Sequence, residues 1–238
     1  MKILDLAIAA LVVVAIGAQP ALADDCHPEI DLQQPQYTLG YGSLMEDQSK
    51  RRTVANAGPN LPVRVTGYRR GWIDPGRGPG PQTTYLGIRP EQGASMNAAL
   101  YLLPDRQEIA HTDAREYVYC RHLVPRDRVT MLDGKPLPDG QVWVYVTPAA
   151  NLGAPSPETP IVQSYVDIFI HGCLEMEDRY QLPGFAAECI TSTHGWSPHW
   201  VNDRIYPRRP FIYRPAASRI DRLLQAHLPA IFPQIRIE

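Results

Sequence analysis

Apolar and polar residues alternate over several short stretches in the first two thirds of the chain, and this period of two predicts β-strands. Asp-Gly pairs at 133–134 and 139–140 and a Gly at position 93 supply turn signals between them. Short strands at this spacing are typical of a small, mainly antiparallel sheet or barrel. The predicted strands cover residues 37–41, 61–73, 83–90, 95–103, 117–124, 129–132 and 141–147. We expect the third and fourth to form a hairpin.

Helical periodicity appears in four places. Pro104 and Asp105 are typical of a helix start, and the helix they begin extends to Arg115. An apolar stripe from Ile161 to Leu174 predicts a largely buried helix, in which Gly172 would allow close packing. Further helices are predicted over 184–193 and 217–227. Strands followed by separate helices predict an α+β fold class, a mixed and mainly antiparallel β-barrel or sheet with flanking helices.

The N-terminus resembles a secretory signal peptide. Lys2 precedes an apolar run from Leu6 to Ala18, and Ala21 and Ala23 fit a small-residue cleavage pattern. The run is shorter than the roughly 20 residues that an ordinary membrane span needs. We therefore expect residues 1–23 to be removed and the protein to be periplasmic or secreted, with an uncleaved anchor as the alternative. No stable membrane insertion is expected after cleavage.

Composition narrows the function classes. The formal net charge is −2 over 238 residues, so no basic field suggests nucleic-acid binding. Proline makes up 24 residues, about twice its usual share of about 5%, which favours a loop-rich architecture. The length predicts one domain, or a small domain with extensions. We expect a monomer.

Four cysteines allow two disulfides in three connectivities: Cys26, Cys120, Cys173 and Cys189. We favour Cys173–Cys189 together with Cys26–Cys120, and four free thiols are the alternative. No C-x-x-C or paired Cys/His spacing indicates a metal site.

The first strand ends in a glycine-rich turn, Gly40-Tyr41-Gly42-Ser43-Leu44. Glycine at a strand end lets the backbone turn and uncovers successive amides, which can bind a carboxylate or an oxyanion. The alternative is an ordinary turn. Ser43 does not lie in a G-x-S-x-G motif, so a nucleophilic role is not favoured.

Glu116 is the most informative titratable residue, since it lies where a helix gives way to a tyrosine-rich strand. Burial against tyrosines would raise its pKa toward that of a working base, and Arg115 would oppose this. The alternative is a surface glutamate. His194 and His199 lack the spacing of a helical zinc motif. Two arginine pairs, Arg69-Arg70 and Arg208-Arg209, could bind carboxylates. The default expectation is that all four are solvated surface residues.

Five segments in order resemble the gamma-glutamylcyclotransferase family: the 40–44 turn, Gly67-Tyr68-Arg69-Arg70, the glycine-containing stretch 87–103, Glu116 after Asp113-Ala114-Arg115, and 160–165 with Tyr165. The resemblance covers about residues 37–180. We therefore expect a domain of this kind over 24–183, and we expect 184–238, which the resemblance does not cover, to be a C-terminal extension packed on the same domain. Members of this family are mostly cytosolic. The resemblance therefore leaves the substrate of an exported member open.

The resemblance implies an enzyme that releases 5-oxoproline from a small-molecule gamma-glutamyl substrate. The substrate's α-amine would attack its own γ-carbonyl, with Glu116 as general base and neither metal nor organic cofactor. Implied substrate-binding residues are Leu39, Gly40, Tyr41, Gly42, Ser43, Leu44 and Tyr165. Two alternatives remain: a non-catalytic exported binding protein of the same fold, and a transferase acting on another gamma-glutamyl or aminoacyl amide.

Overall fold

The computed structural model describes residues 26–209 and 216–238, so the expected signal peptide over 1–23 lies outside the described residues. The strands are β1 (Gln36–Gly40), β2 (Leu61–Pro75), β3 (Thr84–Leu103), β4 (Cys120–Leu123), β5 (Val129–Met131), β6 (Gln141–Val146), β7 (Ile161–Val162), β8 (Thr193–His194), β9 (Trp200–Asn202) and β10 (Arg236–Ile237). The helices are α1 (Asp47–Arg51), α2 (Arg106–Arg115), α3 (Gln163–Tyr180), α4 (Phe185–Thr191) and α5 (Ala217–His227). The α+β class is confirmed.

The main sheet has the order β4-β6-β1-β3-β2-β5, with β8 beside β2. Its pairs are antiparallel except β1–β6 and β2–β8, which are parallel. The sheet is open along this path and does not close into the barrel that the strand spacing had left possible. A second, parallel sheet has the order β10-β9-β7.

The expected hairpin around Gly93 is wrong. Residues 84–103 form a single strand, and both of its halves pair with β2. Pairing passes from Tyr68↔Pro90 to Thr66↔Ser95, so the four β3 residues 91–94 lie opposite the single β2 residue Gly67. Gly93, with a φ of +79°, lies in this bulge and not in a hairpin turn. The result is a long two-stranded ribbon that lines one side of the candidate site.

Helix α3 is the centre of the larger core. Its apolar residues pack with α4, α5 and the indole rings of Trp72 and Trp200. The expected close approach at Gly172 is confirmed, because a Cβ there would lie 2.5 Å from the backbone nitrogen of Glu46. The contact fixes α3 against the segment that follows β1.

The favoured disulfide pairing is confirmed. Cys26–Cys120 joins the N-terminal segment to the start of β4, and Cys173–Cys189 joins α3 to α4. Disulfides persist in oxidising compartments, so the pair fits an exported protein. Within 26–209 and 216–238, no helix is long and apolar enough to cross a membrane.

Arg70 is not the solvated surface residue expected by default. Its side chain is fully buried and donates hydrogen bonds to Asn97, Thr193 and Ser192. Burial lowers its pKa to about 9, against an opposing attraction from Glu188. Arg70 therefore joins the sheet to the α4 region and has a structural role.

Candidate active site

The turn after β1 depends on two glycines. A Cβ at Gly40 would lie 2.7 Å from the carbonyl oxygen of Leu44, and a Cβ at Gly42 would lie 2.9 Å from the hydroxyl of Tyr165. Residues Ser43–Met45 form a short 3-10 turn, closed by a hydrogen bond from Met45 N to Gly42 O. The turn therefore folds tightly on itself and lies directly against the first turn of α3.

Glu116 caps the C-terminus of α2. Its amide donates to Thr112 O at 2.9 Å, and its carbonyl accepts from Tyr119 N at 2.8 Å. The strand expected from residue 117 begins only at Cys120, because residues 117–119 form this additional turn. The Glu116 side chain is only 14% exposed and pairs with Arg115 Nε at 3.1 Å. Glu116 is thus held at a fixed helix end and is largely withdrawn from solvent.

Two adjoining spaces meet at these residues. An inner chamber of about 30 Å³ lies against the turn, and an outer cavity of about 550 Å³ opens from it. Both spaces share the lining residues Ser43, Glu116, Tyr119 and Tyr165. The outer cavity lies within the range of about 300–1,000 Å³ typical of small-molecule sites.

The structure brings almost all of the site residues expected from the sequence together. The inner chamber is lined by Leu39, Tyr41, Gly42, Ser43, Leu44, Tyr165 and Glu116. Gly40 is the exception: it does not line the chamber, and its close contact with Leu44 shapes the turn. The two halves of the expected site therefore face one space, although they are separated by more than seventy residues in the sequence.

Arg115 connects the turn to the glutamate. Its guanidinium donates to Ser43 Oγ at 3.2 Å, to Ser49 O at 2.7 Å and to Thr53 Oγ1 at 2.8 Å. Its Nε faces Glu116. A rigid guanidinium fork can make all of these contacts at once. Arg115 therefore sets the position of Ser43 relative to Glu116.

Burial raises the pKa of Glu116 above its ordinary value. The charge and hydrogen bond of Arg115 oppose this rise, and the charge of Asp74 adds to it. A raised pKa makes a carboxylate a stronger base once it is ionised. The surroundings of Glu116 thus suit a group that accepts and returns a proton.

Tyr165 is held as a hydrogen-bond donor. Burial raises the pKa of Tyr165 to about 12, and Glu116 adds to the rise, so the phenol keeps its proton at neutral pH. The side chain and the backbone N–H of Ser43 both hydrogen-bond to this hydroxyl and oppose the rise in its pKa. Since the backbone N–H can only donate, the phenol's own proton is left to donate to another group.

Asp74 is a second buried carboxylate at the site. It lies near the end of β2 and is only 3% exposed. Burial raises the pKa of Asp74, opposed by hydrogen bonds from Tyr119 and Arg77 and by the charge of Arg77. Asp74 is a site residue that was not predicted from the sequence, where it merely precedes a Pro/Gly loop. A signal was present nonetheless: this aspartate lies near the end of a predicted strand, directly before a Pro/Gly-rich loop.

The outer cavity carries positive charge. Arg77 lies on the 76–83 loop and donates to Asp74 at 3.3 Å, and the guanidinium carbon of Arg209 lies 4.7 Å from the ring centroid of Tyr85. Both arginines line the outer cavity but not the inner chamber. The inner part of the site thus offers a carboxylate and a phenol, and the outer part offers arginines that can contact anionic groups.

The geometry does not favour Ser43 as a nucleophile. Among the described residues that line either space there is no histidine to activate it. Its hydroxyl instead accepts from Arg115 and hydrogen-bonds to Tyr165. Ser43 therefore lies within a relay from Arg115 to Tyr165.

Comparison with known proteins agrees with this architecture. No family model and no curated protein matches the sequence. A solved structure described as gamma-glutamyl cyclotransferase superimposes with a TM-score of 0.51 at 14% identity, over 66% of this chain and 86% of that chain. An uncharacterized protein from Homo sapiens gives 0.51 at 15% identity, with the same coverage of 66% and 86%. At such identities the similarity establishes the fold alone, which is that of the gamma-glutamyl cyclotransferase.

Proposed function

We propose that this chain, which has the fold of a gamma-glutamyl cyclotransferase, cyclises the gamma-glutamyl group of a small-molecule amide to 5-oxoproline. One observation carries the proposal: Glu116, the turn at Gly42-Ser43 and the phenol of Tyr165 line one chamber. A proton acceptor and an oxygen-binding donor beside a cavity for the substrate are what this reaction requires.

The substrate carries its own nucleophile. Glu116 takes a proton from the α-ammonium, and the free amine attacks the γ-carbonyl carbon to close a five-membered ring. The tetrahedral intermediate then loses the amine of the scissile amide, which leaves with the proton that Glu116 had taken. The ring nitrogen gives up its second surplus proton to Glu116, which passes it to the released amine or to water. Because attack is intramolecular, the protein mainly has to fold the glutamyl chain into attack geometry.

Tyr165 supplies the donor for the developing oxyanion. Arg115 donates to Ser43, and Ser43 hydrogen-bonds to Tyr165. The phenol proton would then be donated to the γ-carbonyl oxygen. Linked hydrogen bonds polarise one another, so the positive end of the relay strengthens the last donor. The amides of Gly42 and Leu44 would hold the substrate's α-carboxylate or share the carbonyl oxygen, since the Ser43 amide donates to Tyr165.

Asp74 and the outer arginines suggest how the rest of the substrate is bound. Asp74 would accept a second N–H of the α-amine and orient its lone pair. Arg77 and Arg209 in the outer cavity favour a leaving amine that itself carries a carboxylate, as in a gamma-glutamyl amino acid or peptide.

A panel assay tests the proposal. Residues 24–238 are incubated with gamma-glutamyl amino acids, gamma-glutamyl dipeptides and gamma-glutamyl alkylamines, and 5-oxoproline is measured by mass spectrometry. We expect product from members of the panel, with a higher kcat/KM for those whose leaving group carries a carboxylate. If no compound gives 5-oxoproline, the proposal is refuted and a binding role of the same fold replaces it.

We also propose that the protein is exported. The support is the predicted signal peptide and the two disulfides, which need an oxidising compartment. N-terminal sequencing of protein recovered outside the cytosol should begin at Asp24. Full-length protein confined to the cytosol would contradict export.

A further inference from the structure

A cluster of one imidazole and two carboxylates lies behind the site turn, outside the lining of both the inner chamber and the outer cavity. It consists of Glu46, His171 and Glu175, and we call it the Glu46 cluster. One ligand atom from each residue lies within 4.8 Å of the other two. None of these residues has a part in the proposed reaction.

The geometry of the Glu46 cluster suits a metal ion. His171 and Glu175 are four residues apart on α3 and so share one face of that helix. Glu46 Oε1 lies 3.6 Å from His171 Nδ1. Two ligands of a tetrahedral ion lie about 3.4 Å apart when each bond is about 2.1 Å. The separation therefore fits two ligands of one ion.

Buried polar atoms in the cluster lack hydrogen-bond partners. The Glu46 side chain is only 1% exposed. Its Oε1 faces Nδ1 of His171 at 3.6 Å as an ion pair, and neither atom makes a shorter hydrogen bond among the described residues. The other oxygen of Glu46 is already used, since it accepts from Ser49 N. A buried carboxylate oxygen is stabilised by an ion pair or by coordination to a metal, and this oxygen is placed for either. Oε1 is directed at the imidazole, which marks the point where a cation would bind.

Charge in the cluster is also consistent with a bound cation. The Glu175 carboxylate accepts a hydrogen bond from Asp47 N at 3.1 Å and shares this partly buried place with the Glu46 carboxylate. Two carboxylates crowded in one partly buried place repel each other, and a dication would remove this repulsion.

We propose that the Glu46 cluster binds a divalent transition-metal ion of the zinc class, with water completing its coordination. Imidazole and carboxylate ligands suit zinc, cobalt or iron(II) better than magnesium or calcium, which prefer oxygen ligands alone. The ion would join α3 to the segment after the turn, next to the close contact at Gly172. It stabilises the site's framework and performs no chemistry.

Metal binding is tested on tag-free protein, stripped with chelator and titrated with Zn²⁺ alone, then with Co²⁺ to read its visible absorption bands. We expect one ion per chain. At an excess of about 100-fold over Kd, Zn²⁺ should raise the thermal midpoint by about 5–10 °C. Absence of stoichiometric binding would overturn the proposal and leave the cluster as a histidine–glutamate ion pair.

Variants locate the ion. His171→Ala and Glu175→Gln should each weaken Zn²⁺ binding at least about tenfold, with unchanged circular dichroism. Glu175→Gln retains an oxygen for Asp47 N, so the fold has little reason to change. His111→Ala is the matched control, because His111 faces Glu108 at 3.4 Å on an exposed helix face. If His111→Ala abolishes binding, or if neither cluster variant weakens it, the ion lies elsewhere and the proposal fails.

Discussion

Substitutions of Arg115 separate two of its effects at the site: its hydrogen bonds position the turn, and its charge changes the pKa of Glu116. Replacing it with Met removes the donors to Ser43, Ser49 and Thr53 and also the positive charge beside Glu116. Arg115→Lys is the matched variant, since it keeps a charge near Glu116 but lacks the planar fork. Arg115→Lys therefore tests the role of the hydrogen bonds alone, and Arg115→Met tests the hydrogen bonds and the charge together.

The cost to stability follows from the contacts. Arg115 is 23% exposed, and its two shortest hydrogen bonds, at 2.7 and 2.8 Å, join it to the segment after the site turn. A hydrogen bond to a charged group contributes about 1.5–3 kcal/mol. Because water can reach part of the vacated space, we expect Arg115→Met to lose about 2–4 kcal/mol of unfolding free energy, measured in urea. A typical total of about 5–15 kcal/mol leaves the variant folded.

The effect on catalysis has a defined sign. Arg115 opposes the burial that raises the pKa of Glu116, so its removal should raise that pKa further. A base must be ionised to act, and the acidic limb of kcat/KM should therefore move to higher pH in Arg115→Met. In Arg115→Lys the limb should stay near that of the native protein. A limb that is unmoved, or moved to lower pH, in folded Arg115→Met would refute this account of the site's electrostatics.

Three other predictions concern the framework of the site. Asp74→Asn should lower kcat/KM for a gamma-glutamyl substrate about 10–100-fold while the fold is kept, and a change smaller than threefold would remove Asp74 from substrate binding. Gly42→Ala should cost about 1–3 kcal/mol of stability because its Cβ meets the Tyr165 hydroxyl. Combining it with Tyr165→Phe should recover part of that loss, and strict additivity in urea unfolding would contradict the contact. Replacing Cys173 and Cys189 together with Ala should cost about 3 kcal/mol, since the disulfide closes a loop of 16 residues; unchanged unfolding would contradict this.

Local features of the sequence predicted much of the site. Gly40 and Gly42 indicated a tight turn, and the structure shows a specific close contact at each of them. Asp105 was expected at a helix start, and its side chain accepts from the second and third amides of α2. Glu116 was expected at the end of that helix, which is where it lies. These features are decided within a few residues, so a single sequence carries them.

Long-range features could not be predicted in this way. A glycine at position 93 indicates a hairpin turn and a bulge equally well, and the choice depended on pairing with β2. Arg70 is buried against Asn97, which is more than 20 residues away in the sequence, and against Thr193, which is more than 100 residues away. Asp74 became a site residue only because the sheet places the end of β2 beside the turn after α2. Contacts at such distances leave no mark on local hydrophobic periodicity.

The central claim is that Glu116 is the base of a cyclisation at this site, and the rate of 5-oxoproline release from Glu116→Gln tests it most directly. Glutamine keeps an oxygen for Arg115 Nε but cannot accept the α-ammonium proton. We expect the variant to keep the native circular dichroism and a native or higher thermal midpoint at neutral pH, because burial disfavours the ionised glutamate. Its rate should fall about 10²–10⁴-fold on the substrate that the native protein uses best. A folded variant that releases 5-oxoproline within tenfold of the native rate would contradict the claim.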